Sequence, residues 1–191
     1  TLRTGADGSF HLDGIIPGSY TLTCQLTDGL TAPKAGDSTF AEAAGRLVME
    51  HVTLAEGSSL DGLLLGLVQL NTISGSVWVD EGGSYAMLSD AVVSLTDAYG
   101  APIDSVITGE DGAYAFTGLM PDDYYVAVTL PEGYLVVEPE DERLSAGGMG
   151  SAMAQCNGRT GQSAAITVEM TGEYTGLDIG GVLPGRLGDY C

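Results

Sequence analysis

Carboxylates carry most of the chemical potential in this 191-residue chain: 26 Asp and Glu face only six Lys and Arg, for a net charge of −20. Carboxylate oxygens ligate hard divalent cations, and a spaced pair can serve glycoside hydrolysis as acid and base. With this many acids, pairs arise by chance, and no dyad stands out from the background. The acids are scattered, not gathered into a tail, so they coat a surface. Such a surface repels phosphate backbones and anionic lipid headgroups. Nucleic acid and membranes are therefore set aside as partners, while divalent cations and basic partners fit.

Other reactive side chains are few. Cys24, Cys156 and Cys191 are far apart and lack the C-x-x-C spacing of a zinc site. One disulfide plus a free thiol, or three free thiols, both remain open. His11, read as lying in a strand, and His51, read as lying beside a strand start, are isolated, and each is expected to be an exposed strand residue. No G-x-S-x-G elbow occurs, and "AGGMGSA" (146–152) has no following helix to receive a phosphate. No catalytic residue is assigned, and the chain is read as not an enzyme.

The elements that would position any site are β-strands. "ISGSVWV" (73–79), "VVSLTD" (92–97), "YAFTGL" (114–119), "YYVAVTL" (124–130) and "AAITVEM" (164–170) are short, and rich in β-branched and aromatic residues. Several alternate apolar with polar residues, the period of a half-buried strand. Asp7-Gly8, Pro17-Gly18, Asp111-Gly112, Pro121-Asp122 and Glu132-Gly133 punctuate them as turns. Residues 39–50, "TFAEAAGRLVME", hold helix formers broken by Gly45 and are read as a loop or one helical turn. The long stretch 145–165 is small, polar and nearly uncharged, and is read as a linker-like loop holding an exposed Cys156. The longest apolar run, "LLLGLVQL" (63–70), is strand-length, well short of the roughly 18 residues of a membrane span. No charged and apolar leader opens the chain, whose first ten residues read as mid-domain sequence.

The strands repeat. "DGSFHLDGIIPGSYTLTCQLTDGL" (7–30) aligns without a gap on "DGAYAFTGLMPDDYYVAVTLPEGY" (111–134), at an offset of 104. The offset grows to 113 at Gly45-Arg46 on Gly158-Arg159, and to 115 at Gly57 on Gly172. The repeat is thus about 114 residues long, with roughly ten extra residues in the second copy between Glu138 and Asn157. Cys24 aligns with Val128 and Cys191 with Val77, so both thiols are expected to point into a core. The boundaries that follow are the later part of one repeat at 1–71, a complete repeat at 72–186, and the first strand of another at 187–191. Some 114 residues with about seven short strands suit an all-β immunoglobulin-like (prealbumin-like) sandwich. Its expected core is Val77, Val93, Leu95, Tyr114, Phe116, Leu119, Tyr124, Val126, Val128, Ile166 and Val168. The repeated segment itself is read as the central hairpin of the unit.

These residues also carry a resemblance. "ISGSVWVDE", "AVVSLTD", "DGAYAFTGLMPDDYYVAVTLPEGY" and "LDIGGVL" occur here in an order similar to that of the B-type repeats of Gram-positive surface adhesins. Both the serine–aspartate-repeat type and the collagen-adhesin type (Cna-B) share this pattern. The resemblance implies two chemistries. One is calcium in the loop after the tryptophan, for which Asp80 and Glu81 are the candidate ligands. Gly82 and Ser84 stand where further oxygen ligands would be wanted, so a solvated turn is the preferred reading, with no cofactor. The other is a lysine–asparagine isopeptide bond. The first strand holds no lysine and Lys34 is the only one in the chain, so no bond is expected in the complete repeat. A mass deficit of about 17 Da would overturn that.

The resemblance implies a stalk or spacer in an extracellular protein of the cell surface or cell wall, with neighbouring repeats of the same protein as partners. Two alternatives stand beside it. One is a subunit of a filament completed by strand exchange, with the terminal "RLGDYC" as a segment of the type donated. The other is a module whose loops bind a host protein or glycan.

Overall fold

A computed structural model describes residues 3–33, 38–81, 84–138, 150–170 and 172–184. The chain divides into two compact units, Thr1–Val68 and Gln69–Cys191. Among the described residues there is no helix. The strands in chain order are β1 (Gly18–Gln25), β2 (Leu30–Thr31), β3 (Ala41–Ala43), β4 (Arg46–Leu54), β5 (Val68–Gln69), β6 (Asn71–Asp80), β7 (Tyr85–Met87) and β8 (Val92–Asp97). They continue as β9 (Pro102–Ile107), β10 (Ala113–Leu119), β11 (Asp122–Thr129), β12 (Leu135–Val136), β13 (Met153–Asn157), β14 (Thr160–Ser163), β15 (Ile166–Val168) and β16 (Ile179–Val182).

The second unit is a two-sheet sandwich. One sheet runs β10-β6-β16-β12, with β7 also on β6; the other runs β13-β14-β11-β8-β9, with β15 also on β11. Alternation turns Val77 and Val79 of β6, Tyr114 and Phe116 of β10, Val93 and Leu95 of β8, and Tyr124, Val126 and Val128 of β11 into one shared core. Ten of the eleven expected core residues are buried there. Ile166 is only half-buried, because β15 is a three-residue strand on the rim of β11. The core also takes residues that sequence reading left out: Ile73, Leu130, Val136, Met153 and Ile179 are all buried in it.

The repeated segment is not a hairpin. β10 belongs to one sheet and β11 to the other, so Met120-Pro121 turns a corner across the sandwich. Asp111-Gly112 likewise carries the chain from β9 in one sheet to β10 in the other. Gly112 sits at φ 64°, and a Cβ there would lie 2.4 Å from the Val77 carbonyl oxygen. Only glycine fits where β10 and β7 succeed one another along the same edge of β6.

In the first unit a three-stranded sheet runs β1-β4-β3. β1 begins and ends 104 residues before β11, the offset of the sequence repeat. The stretch 39–50 is not a loop or helical turn: β3 and β4 form a hairpin, with Ala43 opposite Arg46. Its two-residue turn places Ala44 at φ 52° and Gly45 at φ 73°, the paired positive φ that a tight hairpin needs. His11 lies outside any strand, its imidazole 2.8 Å from the Asp13 carboxylate, both fully in solvent. His51 lies inside β4 at φ 59°, in a bulge opposite the Tyr20–Leu22 step of β1. Both histidines are exposed, as expected.

The stretch 145–165 is not a loop throughout either. Residues 153–163 form the β13–β14 hairpin, turning at Gly158-Arg159 with glycine at the positive-φ position. Cys156 is therefore half-buried against the core instead of exposed. Cys24 is half-buried on β1, so it does not reach the full burial expected of it. Cys191, the third-repeat boundary at 187–191, the "RLGDYC" segment and Lys34 lie outside the described residues.

Candidate functional site

β6 is the axis of the second unit. Its outer half is buried on four consecutive residues, Val77 to Asp80. Val77 and Val79 face the core; Trp78, on the other face, is covered separately. Its indole N–H donates to the Gly150 carbonyl at 2.9 Å, and its ring meets Tyr85 edge-on with centroids 6.1 Å apart. Ser151, buried beside it, donates its hydroxyl to the Val137 carbonyl at 2.7 Å.

The candidate calcium ligands, Asp80 and Glu81, sit at the end of this strand. Asp80 is 4% exposed and lies between Tyr85 of β7 and Val182 of β16 in the strand ladders. Glu81 is exposed, its amide donating to the Ser84 carbonyl at 2.8 Å in a turn. Calcium wants six or more converging oxygens, several of them carboxylate. Among the described residues no group of three or more His, Cys, Asp or Glu could hold a metal ion. The residues described around Asp80 do not fit the ion.

The other edge of β6 carries the feature that sequence reading missed. β16 pairs with β6 in parallel, Ile179 opposite Val77 through Val182 opposite Asp80. The seam continues backwards over the first half of β6. Tyr174 bridges Ile73, the Ser74 amide donates to the Tyr174 carbonyl at 2.9 Å, and the Leu177 amide donates to the Ser74 carbonyl at 3.1 Å. The Ser76 amide then donates to the Asp178 carboxylate at 2.9 Å.

Gly75 makes this closeness possible. A Cβ there would stand 2.3 Å from the Leu177 carbonyl oxygen. An isolated glycine inside a strand was the available signal of a close backbone approach. Tyr114 closes the seam by donating its hydroxyl to that same Leu177 carbonyl at 2.5 Å. Burial, and then the charge of Asp178, push the Tyr114 hydroxyl well above its ordinary titration range.

An open groove of about 570 Å³ runs along this seam, lined among others by Ser74, Ser76, Tyr114 and Asp178. Two of its polar side chains are spent on the backbone. Tyr114 keeps its proton and gives its hydrogen bond to a carbonyl, and Asp178 accepts from a backbone amide. That arrangement clamps two strands. Trp78 and Asp178 were legible only as a strand residue and one letter of the "LDIGGVL" segment, and Tyr174 was not singled out, because their partners come from residues far away in sequence.

Comparison with known proteins agrees with this architecture. A family model described as SdrD B-like domain matches residues 74–180. Colossin-A of Dictyostelium discoideum is 26% identical over 149 residues, covering 75% of this chain and 1% of that protein. Serine-aspartate repeat-containing protein F of Staphylococcus epidermidis is 26% identical over 148 residues, covering 70% of this chain and 9% of that protein. The chain thus spans less than a tenth of the length of the curated relatives it matches.

Proposed function

The chain belongs to the SdrD B-like domain family, and from that premise we propose that it is a structural spacer in the stalk of an extracellular cell-surface protein, joined to further units of its own kind. The observation that carries this reading is the parallel pairing of β6 with β16. The first and last strands of the sandwich run side by side in one direction. The chain therefore enters this unit at one end, at Asn71, and leaves it at the other, beyond Val182.

That geometry suits a spacer for a mechanical reason. Tension applied at the two ends slides β6 along β16, so the bonds of the seam share the load and must fail together. An antiparallel pair joined at one end would instead open one bond at a time. The acidic surface works in the same direction by opposing self-association of neighbouring units.

Pulling single molecules in two directions tests the reading. Force applied through Asn71 and Pro184 loads the seam in shear. Force applied through Asn71 and Leu119, which are paired at the end of the antiparallel β6–β10 ladder, unzips it. The expected result is a several-fold higher unfolding force in the first geometry. Equal forces would remove the mechanical basis of the stalk.

A further inference from the structure

The groove along the seam is lined almost wholly by small residues. Apart from Val106, Tyr114 and Asp178, every residue on its wall is glycine, alanine or serine. Alternation puts Ser74 and Ser76 on the outer face of β6, because Ile73 and Val77 point into the core. Their cross-strand neighbours on β10 are Ala115 and Ala113, both exposed. With so few long side chains on the wall, a ligand can lie close to the backbone. At about 570 Å³ the space falls within the roughly 300–1,000 Å³ range of ordinary ligand sites.

The electrostatics of the groove are one-sided. Asp178 is the one Asp or Glu on the wall, and no basic residue lines it among those described. One carboxylate oxygen, Oδ1, accepts from the Ser76 amide at 2.9 Å. Among the described residues, Oδ2 bonds to nothing further, and neither do the hydroxyls of Ser74 and Ser76. The groove therefore offers a charged oxygen and two hydroxyls to a visitor, on a chain of net charge −20. Such a concave site draws in a cation.

The kind of cation follows from how Asp178 is held. A guanidinium favours both oxygens of a carboxylate at once, and here Ser76 already occupies one. An ammonium is a compact point charge with three donors; it can take Oδ2 and turn its other hydrogens to hydroxyls. A calcium ion wants several carboxylates, and the wall supplies one. Because the groove is open along its length, the main chain on either side of a lysine has room to lie in it.

We propose that the groove binds an extended peptide segment of a partner protein through one lysine, whose ammonium meets Asp178. The aliphatic stem of that lysine packs over the alanine and glycine of the wall. A second copy of this chain is a poor occupant, because Lys34 is its single lysine and two chains of net charge −20 repel. The proposal goes beyond the spacer reading and is tested apart from it, since unfolding forces of the bare chain do not depend on a ligand.

The probe is the peptide acetyl-Gly-Ser-Lys-Ser-Gly-amide, titrated into the full chain at low salt and followed by amide chemical shifts. Saturable shifts are expected to centre on Ser74, Ser76, Gly176 and Asp178. Asp178→Asn keeps an oxygen for the Ser76 amide and removes only the charge, so binding should weaken about fivefold in a folded chain. Acetylating the lysine of the peptide should weaken it as much. Ala115→Phe, at an exposed position, should block the groove with the charge intact. Shifts scattered over the acidic surface, or equal binding to Asp178→Asn, overturn the proposal. Tighter binding of the arginine peptide overturns the choice of cation, and equal binding of free butylamine overturns the choice of a peptide. Concentration-dependent shifts of the bare chain that vanish in Lys34→Gln would make a second copy the occupant and overturn it as well.

Discussion

The Tyr124 hydroxyl donates to the Met120 carbonyl four residues behind it, at 2.8 Å. That bond crosses the corner at which the chain leaves one sheet for the other. Pro121 brings no amide hydrogen to the turn, and the tyrosine hydroxyl supplies a donor there. Tyr20 makes the same bond to the Ile16 carbonyl in the first unit. Tyr124→Phe is expected to cost about 1 kcal/mol, as for other single hydrogen bonds. The second unit should then melt roughly 4 °C lower. Thermal unfolding followed at Trp78 checks it; an unchanged midpoint would make the bond superfluous.

Tyr114 gives the fold a limit at alkaline pH. Its hydroxyl is raised by burial and by Asp178, while an unfolded tyrosine ionises near pH ~10. Its contribution is therefore fully present below about pH 10. Above that, the unfolded state releases the proton and the folded state keeps it, so stability falls as pH rises. Urea midpoints measured between neutral pH and pH 11 should fall more steeply for wild type than for Tyr114→Phe. At neutral pH the variant should already be weaker by about 1–2 kcal/mol, because the Leu177 carbonyl loses its donor. Parallel curves at high pH would sink the assignment.

Strands with strong alternation were legible from the letters alone. "VVSLTD" stands as β8 with the expected bounds, and ten core positions follow from the same pattern. What the letters do not hold is which sheet a strand joins. A corner and a hairpin have the same turn residues, so β10 and β11 look like a pair until β6 and β8 are seen to claim them. Small polar strands are equally silent: β13 and β14 have little alternation, and their hairpin rests on the backbone freedom of Gly158. The clamp at Leu177 was out of reach for a related reason. It is made by a glycine, a backbone carbonyl and a tyrosine spread over 103 positions, and only the glycine carried a warning.

The two units should unfold separately. Of the buried hydrophobic residues described, three (Phe40, Leu47 and Val52) belong to the first unit and 21 to the second. With net stabilities of only about 5–15 kcal/mol for whole domains, so small a core leaves the first unit weak. Trp78 is the single tryptophan of the chain and is buried in the second unit. Fluorescence is therefore expected to report one late transition, and far-UV circular dichroism an additional earlier one. Coincident single transitions by both probes would show that the units unfold as one.

Calcium is expected to leave the chain unmoved. A site with a dissociation constant near 0.1 mM would gain about 2.7 kcal/mol in a hundredfold excess of ion. That would raise a melting temperature by several degrees, well within reach of scanning fluorimetry. Asp80 is buried in its strand, Glu81 stands in an exposed turn, and among the described residues no third ligating side chain joins them, so the shift on adding 10 mM calcium should stay below about 1 °C. A rise of several degrees that chelation reverses, and that Asp80→Asn abolishes, would restore these two residues as ligands.

Gly75 is where the seam is most exposed to a single substitution. A methyl group there would sit 2.3 Å from the oxygen and 2.6 Å from the carbon of the Leu177 carbonyl, and 3.1 Å from the Tyr114 ring. Two of those atoms are backbone and cannot rotate aside. Segment 174–178 would have to retreat from β6, breaking the bonds of Ser74, Leu177 and Ser76 across it. Gly75→Ala should therefore destabilise the second unit by about 3 kcal/mol, at the upper end for an added methyl group. Gly150→Ala is the matched control, since nothing lies within 4 Å of its Cβ position. The mechanical consequence follows from the same clash: with half of the seam open, the end-to-end unfolding force should drop toward that of the unzipping geometry. If Gly75→Ala proves as stable and as strong as Gly150→Ala, then the seam is not what holds the first and last strands together.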